Sequence, residues 1–322
     1  MSVTLVMVPP HQDDTHTWPR RLTEAVPGLR VLRPSTDGEA AEALGDADAA
    51  YGALPADLLR HAEKLRWLQA PQAGPPAGFY HPALVAHPVE VTNMRDTYTD
   101  HVATHTLALI LSLARGIPRY VRAQAHASWE PDWDPRSVLS LPEARALVVG
   151  VGAIGAEVGR LLAQFGTHIV GVDVRRTDTP PGFAEIHPID TLDHQIAEAD
   201  LVVLAIPHTP LTEGLINTDR LAMFRPSTYL VNIGRGPIVR LDDLNTALAA
   251  GRLAGAALDV FETEPLPSTH PLWRRENVLI TPHVAGAGPH SEERRFAVLV
   301  ENARRFVGGE PLVNVVDKEN WF

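Results

Sequence analysis

A chain of 322 residues, 45% of them hydrophobic, can bury a large core, and its length favours two domains over one. Its 28 Lys and Arg against 39 Asp and Glu give a formal charge of −11 with no long basic run, which argues against nucleic acid or an anionic membrane as partner and leaves small molecules or other proteins. Cysteine is absent, which excludes disulfides, a thiolate nucleophile and thiolate zinc sites in one step.

The opening stretch from Met1 to Pro10 is apolar but lacks a basic start and a small-residue cleavage site, and Pro9-Pro10 and Asp13-Asp14 end it early. It reads as a first strand and not as a signal peptide. No run approaches the roughly 20 apolar residues of a membrane-spanning helix, so a cytoplasmic protein is expected. Short β-branched runs alternate with amphipathic segments, the pattern of parallel sheets crossed by helices. Strands are expected at residues 3–8, 30–32, 49–51 and 65–68. Residues 99–115 follow, with Val102, Leu107, Leu109, Ile110, Leu111 and Leu113 dense enough for a largely buried helix that joins two domains. Trp129-Glu130-Pro131-Asp132-Trp133-Asp134-Pro135 is an irregular excursion. A second series of strands is expected at 147–149, 168–173, 201–206, 229–233, 256–260 and 278–280, enough for a full doubly wound sheet. After Gly288, Phe296, Val300 and Ala303 mark the apolar face of a last helix that returns to the first domain.

Leu147-Val148-Val149-Gly150-Val151-Gly152-Ala153-Ile154-Gly155 places G-x-G-x-x-G directly after a strand. The helix behind it carries Ile154, Val158, Leu161, Leu162 and Phe165 on one face and stops at Gly166. Gly150 permits the tight turn, Gly152 lets backbone approach a pyrophosphate, and Gly155 lets helix and strand pack closely, with the helix N-terminus facing the phosphates. The next strand ends in Asp173, about 20 residues past the glycines, where a carboxylate can accept hydrogen bonds from the adenosine ribose. Strand, glycines, helix and acid in register imply a dinucleotide cofactor contacted by Gly150, Gly152, Ala153, Ile154, Gly155, Asp173, Val174 and Arg175. Asp173 repels a 2′-phosphate and favours NAD, whereas Arg175 and Arg176 offer NADP an alternative.

Four further motifs resemble the D-isomer-specific 2-hydroxyacid dehydrogenase family, in its glyoxylate/hydroxypyruvate reductase-like branch. They are residues 201–209 leading into Pro210-Leu211-Thr212, then Val231-Asn232-Ile233-Gly234-Arg235-Gly236, then Asp259-Val260-Phe261-Glu262-Thr263-Glu264-Pro265, then Thr281-Pro282-His283-Val284-Ala285-Gly286. The resemblance implies a Rossmann doubly wound parallel sheet, residues 99–286, inserted into a flavodoxin-like α/β substrate-binding domain made of residues 1–98 and 287–322. It implies that Arg235 holds the carboxylate of a 2-oxo acid and polarises its carbonyl, a task for a planar, permanently charged donor. It makes His283 the acid–base group and Glu264 the partner that orients the ring and favours imidazolium. Pro207, Thr209, Asn232, Ile233, Gly234, Arg235, Asp259 and His283 are expected along the cofactor, with Asp259 on the nicotinamide carboxamide. A homodimer formed through the cofactor domains is implied as well, with residues 129–135 against the partner and Trp133 reaching its substrate pocket.

The first domain matches less closely. Ala73 and Gly74 keep the N–H groups with which the family holds the substrate carboxylate, but Pro75 and Pro76 replace residues that usually continue that loop. Arg95 and Tyr98 border the region, so Ala73, Gly74, Arg95 and Tyr98 join Arg235 and His283 as candidate substrate contacts. His101 and His105 have the i, i+4 spacing of a zinc-protease helix, but Thr104 cannot serve as its general base and no third ligand is evident, so no metal is expected. Competing readings are an NADH-sensing protein of the corepressor type, which shares fold and triad, and phosphite or formate dehydrogenase-like activity. Formate dehydrogenases typically carry glutamine where Glu264 stands.

Overall fold

The computed structural model describes residues 3–11, 15–76 and 78–322; Met1, Asp13 and Asp14, which bear on the opening stretch, lie outside them. In chain order the elements begin with β1 (Val3–Met7), α1 (Trp18–Ala25), β2 (Leu29–Leu32), α2 (Asp37–Leu44), β3 (Ala49–Tyr51), α3 (Ala56–Leu59), β4 (Trp67–Gln69), α4 (Pro82–Ala86) and β5 (Glu90–Thr92). They continue with α5 (Thr99–Ala114), α6 (Ile117–Ala125), β6 (Arg145–Val149), α7 (Ala153–Ala163), β7 (His168–Val172), β8 (Glu185–His187), α8 (Leu192–Glu198), β9 (Leu201–Leu204) and α9 (Thr218–Leu221). Then come β10 (Tyr229–Asn232), α10 (Leu241–Ala249), β11 (Gly255–Leu258), β12 (Val278–Ile280) and α11 (Ser291–Gly308). Two compact units result, one of Met1–Thr97 with Gly288–Phe322 and one of Tyr98–Ala287.

The first unit holds a five-stranded parallel sheet in the order β2-β1-β3-β4-β5, the flavodoxin-like order. Successive residues of β1 point to opposite faces: Val6 packs with Ala40, Leu44, Leu58 and Leu84 from α2, α3 and α4. On the other face Trp18 of α1 packs at a tilt against Phe296 of α11, and Trp67 of β4 against Phe306. Residues 288–322 are tied in further by Asn302, whose buried amide donates to Gln69, and by Val316, whose N–H donates to the Val91 carbonyl.

The second unit holds seven parallel strands in the order β12-β11-β10-β9-β6-β7-β8, a doubly wound sheet that reverses direction at β6. Leu147 and Val149 enter one core with Leu192, Ile196, Leu221, Leu241, Leu244 and Leu248 of α8, α9 and α10. Ala146 and Val148 enter the opposite core with Val102, Leu109, Ile110, Val158 and Leu162 of α5 and α7. Burial on both faces explains why these strands read as unbroken apolar runs.

Sequence and structure differ at the sheet margins. β5 and β8 were not expected: each is a three-residue edge strand carrying a charged residue, Glu90 or Glu185, and such a segment has too few residues to show periodicity. β7, β9, β10 and β11 end short of the anticipated residues 173, 206, 233 and 260, because the chain there turns away to form loops. Phe165 does not belong to the buried face of α7; the helix ends at Ala163, and the ring is 40% exposed beyond it. Among the described residues no helix is long and apolar enough to cross a membrane.

Candidate active site

The predicted site residues of the second unit lie in loops or turns that begin at the carboxyl ends of its strands, around the reversal at β6 where an open α/β sheet binds ligands, except that Ala153, Ile154 and Gly155 open α7 and Tyr98 directly precedes α5. Gly150 leaves β6 at φ +87, and a Cβ there would stand 2.5 Å from Ile206 Cγ2 and 2.8 Å from the Ala205 carbonyl oxygen. A Cβ on Gly155 would meet the Gly150 oxygen at 1.9 Å, so α7 can start this close to β6 only with glycine. Over Gly152, the N-cap of α7, a Cβ would meet nothing within 4 Å. Open space above a glycine at a helix N-terminus is what a pyrophosphate requires, and the loop fits that group.

Asp173 follows β7 and braces this loop. Its Oδ2 accepts from the Val151 N–H at 2.7 Å and its Oδ1 from the N–H groups of Arg175 and Arg176 at 2.7 and 2.9 Å. Val174 is exposed. After β9, Thr212 Oγ1 donates to the Pro207 carbonyl and accepts from the Thr209 N–H, which folds Pro207 and Thr209 into one turn. After β10, the buried Asn232 side chain accepts from the Gly234 N–H and donates to the Arg235 carbonyl, so this amide shapes the turn that presents Arg235. Ile233 is buried. A Cβ on Gly234 would lie 2.5 Å from the Ile206 oxygen, which joins this turn to the one after β9.

Asp259, at the end of β11, is 1% exposed and accepts three hydrogen bonds from a single loop. Thr281 Oγ1 and the Val284 N–H donate to Oδ1 at 2.7 and 3.0 Å, and the Ala285 N–H donates to Oδ2 at 3.0 Å. His283 sits inside that clasp at φ +54, a left-handed backbone unusual for histidine, with its N–H donated to the Asp259 carbonyl at 2.8 Å. His105 Nε2 lies 3.0 Å from Thr281 Oγ1; since that hydroxyl donates to Asp259, the imidazole N–H is the donor to it. His105 thus supports the loop from α5, the part played by one of the two histidines with zinc-helix spacing. Among the described residues no group of three or more His, Asp or Glu is placed to hold a metal ion.

The imidazole of His283 meets Glu264 through Nδ1, 2.7 Å from Oε2, while Glu264 Oε1 accepts from the Phe261 N–H at 2.9 Å. One ring nitrogen is fixed, and the side chain remains 48% exposed. Arg235 donates from Nη1 to the Gly234 carbonyl at 2.6 Å. Burial pushes its guanidinium below the ordinary value, and the charge of Glu264 opposes that shift. Arginine starts so high that it stays charged.

The remaining candidates fall on both units. In the first, the Ala73 carbonyl accepts from Asn93 Nδ2, and the Arg95 N–H donates to Asn93 Oδ1, so Asn93 connects the Ala73–Gly74 turn to exposed Arg95. Tyr98 belongs to the second unit, where its ring lies against Gly286. The supporting roles of Thr281, His105 and Arg176, whose Nη1 donates to the Val151 carbonyl, were not anticipated. Thr281 was within reach, since it opens the motif that contains His283.

Residues 107–285 match the family model described as D-isomer specific 2-hydroxyacid dehydrogenase, NAD binding domain. The glyoxylate reductase of Thermofilum pendens is 35% identical over 251 residues, 75% of this chain and 73% of that protein. A D-isomer specific 2-hydroxyacid dehydrogenase from Xanthobacter autotrophicus Py2, solved in complex with NADPH and MES, superposes with a TM-score of 0.86 at 31% identity, and each chain covers 100% of the other. The NADPH-dependent glyoxylate/hydroxypyruvate reductase of Sinorhizobium meliloti, solved with NADP and sulfate, gives a TM-score of 0.82 at 25% identity, again over 100% of both chains.

Proposed function

The chain belongs to the D-isomer specific 2-hydroxyacid dehydrogenase family, and on that premise we propose that it interconverts a small 2-oxo acid, of the size of glyoxylate or hydroxypyruvate, and its D-2-hydroxy acid. The observation that carries this reading is the 2.7 Å contact of His283 Nδ1 with Glu264, set beside the half-buried Arg235 behind a dinucleotide loop. With Nδ1 held by the carboxylate, Nε2 is the nitrogen left to give a proton to the substrate oxygen in reduction and to take it back in oxidation. Arg235 binds the substrate carboxylate through its planar fork and draws charge onto the neighbouring carbonyl oxygen. The nicotinamide, when bound, supplies or accepts the hydride at C2. Gly150, Gly152, Ala153, Ile154 and Gly155 would hold the pyrophosphate, with Pro207, Thr209, Asn232, Ile233, Gly234 and Asp259 along the rest of the cofactor. The unit Tyr98–Ala287 is then the cofactor domain and the other the substrate domain, with Ala73, Gly74 and Arg95, together with Tyr98, as further substrate contacts.

A spectrophotometric screen of 2-oxo acids with NADH and NADPH tests this. Steady cofactor oxidation with glyoxylate or hydroxypyruvate is expected. Binding of dinucleotide without turnover of any 2-oxo acid would point to a sensor, and turnover confined to formate or phosphite would reassign the chemistry.

The same reading includes a homodimer. Trp129 and Trp133 are 94% and 88% exposed in the single chain, and tryptophans are enriched at the buried centres of interfaces. Sedimentation at micromolar concentration is expected to give a dimer that Trp129→Ala with Trp133→Ala weakens. A rise in KM for Trp133→Ala would place that ring at the partner's substrate pocket, whereas a wild-type monomer would rule out both ideas.

A further inference from the structure

A left-handed backbone at a residue other than glycine is strained, and it persists only where the surroundings over-determine it. At His283 that duty falls on Asp259. Its carbonyl accepts the His283 N–H at 2.8 Å, and its carboxylate accepts the next two N–H groups, those of Val284 and Ala285, at 3.0 Å each. A third donor to the carboxylate is the Thr281 hydroxyl at 2.7 Å. A hydroxyl turns about its C–O bond until its partners fix it, and the second partner here is His105. The imidazole Nε2 lies 3.0 Å from Thr281 Oγ1 and 3.5 Å from Asp259 Oδ1. Thr281 has one proton and gives it to Asp259, so the contact requires a proton on His105 Nε2. Helix geometry holds the ring in this place: on α5, His105 follows Val102 by three residues and precedes Leu109 by four, on the face that packs with Ala285 in one apolar core.

We infer that His105 is a positioning residue for the proton transfer: by donating to Thr281 it locks the Asp259 carboxylate, and through it the strained turn that aligns His283 Nδ1 with Glu264. The inference rests on the reading of His283 as the acid–base group and deepens it by assigning the alignment of that ring to a side chain on α5. Without the imidazole N–H, the Thr281 hydroxyl loses the partner that fixes its rotation, and one of the three donors holding Asp259 is free to turn away. The backbone at His283 then relaxes toward ordinary φ, and its ring leaves the line to Glu264.

The test compares His105→Leu, His105→Gln and Thr281→Val in the purified full chain. Leucine fills the space without a donor, glutamine sets an amide N–H near the position of Nε2, and valine removes the hydroxyl at nearly constant shape. His105→Leu and Thr281→Val are each expected to lower kcat for 2-oxo acid reduction about tenfold, the size of one hydrogen bond in a charged network, with KM and the NADH dissociation constant within about twofold of wild type. His105→Gln is expected to recover most of that loss, and the double variant His105→Leu with Thr281→Val to be no slower than either single one, since both break the same linkage. NMR of the cofactor-free chain gives a readout that needs no turnover. The downfield Nδ1 proton of the His283–Glu264 pair, identified by its loss in His283→Asn, is expected to persist in His105→Gln and to broaden beyond detection in His105→Leu. Wild-type kcat in His105→Leu with that resonance unchanged would overturn the inference. So would equal losses in His105→Leu and His105→Gln, which would mark the ring as packing alone. Absence of turnover for every 2-oxo acid in the wild type, with the resonance still dependent on His105, would remove the dehydrogenase reading and leave the His105 linkage standing.

Discussion

His283→Ala is expected to lower kcat by about 10²–10⁴-fold, the usual contribution of a positioned proton donor, while the dissociation constant of NADH stays within about twofold of wild type. The substitution needs a control because His283 stands at φ +54, where alanine is strained. Asparagine tolerates left-handed backbone better than other residues with a Cβ, so His283→Asn keeps the loop geometry while removing the imidazole. Both variants should lose turnover to a similar degree, with thermal unfolding midpoints close to wild type. Activity near wild type in either one would take His283 out of the proton transfer. If His283→Ala alone were inactive, the defect would be traced to the backbone and not to the imidazole.

The clasp around His283 also shows where a sequence stops being informative. The glycine loop was legible because its physics is local: the strand, three glycines and helix lie in one short stretch, and each glycine answers a steric demand that the structure displays at Gly150 and Gly155. Arg235, Glu264 and His283 were nominated only through motif resemblance, since no periodicity marks a single arginine or histidine as reactive. The contacts that hold these residues join distant positions. Asp173 grips Val151, Asp259 grips the loop 281–285, and His105 reaches Thr281 from a helix 176 residues earlier in the chain. No local pattern encodes such pairs, so Asp259 was read as a cofactor contact although its carboxylate is bonded to the loop 281–285. That engagement does not remove Asp259 from the cofactor reading, but it adds a structural duty that resemblance alone does not reveal. The short edge strands β5 and β8 were missed for the opposite reason, as they exist by pairing with β4 and β7 and not by any pattern of their own.

Arg235→Lys is expected to reduce kcat/KM by about 10- to 150-fold, with KM rising as well as kcat falling. Lysine keeps the charge, so the size of the defect measures what geometry contributes beyond charge. The guanidinium sits in a partly desolvated position, where one of its N–H groups is already committed to the Gly234 carbonyl at 2.6 Å and Glu264 supplies a favourable field. A lysine ammonium placed there would face the same desolvation with fewer donors and no planar fork, so it could satisfy either the Gly234 carbonyl or the substrate carboxylate well, but not both. A rise in KM reports the lost grip on the carboxylate, and a fall in kcat reports the lost polarisation of the adjacent carbonyl, which matters most as negative charge grows on its oxygen. Arg235→Gln, which removes the charge, should be worse than Arg235→Lys on both parameters. Equal defects in the two variants would show that charge contributes little, and a lysine variant with wild-type kcat and KM would remove Arg235 from substrate binding altogether.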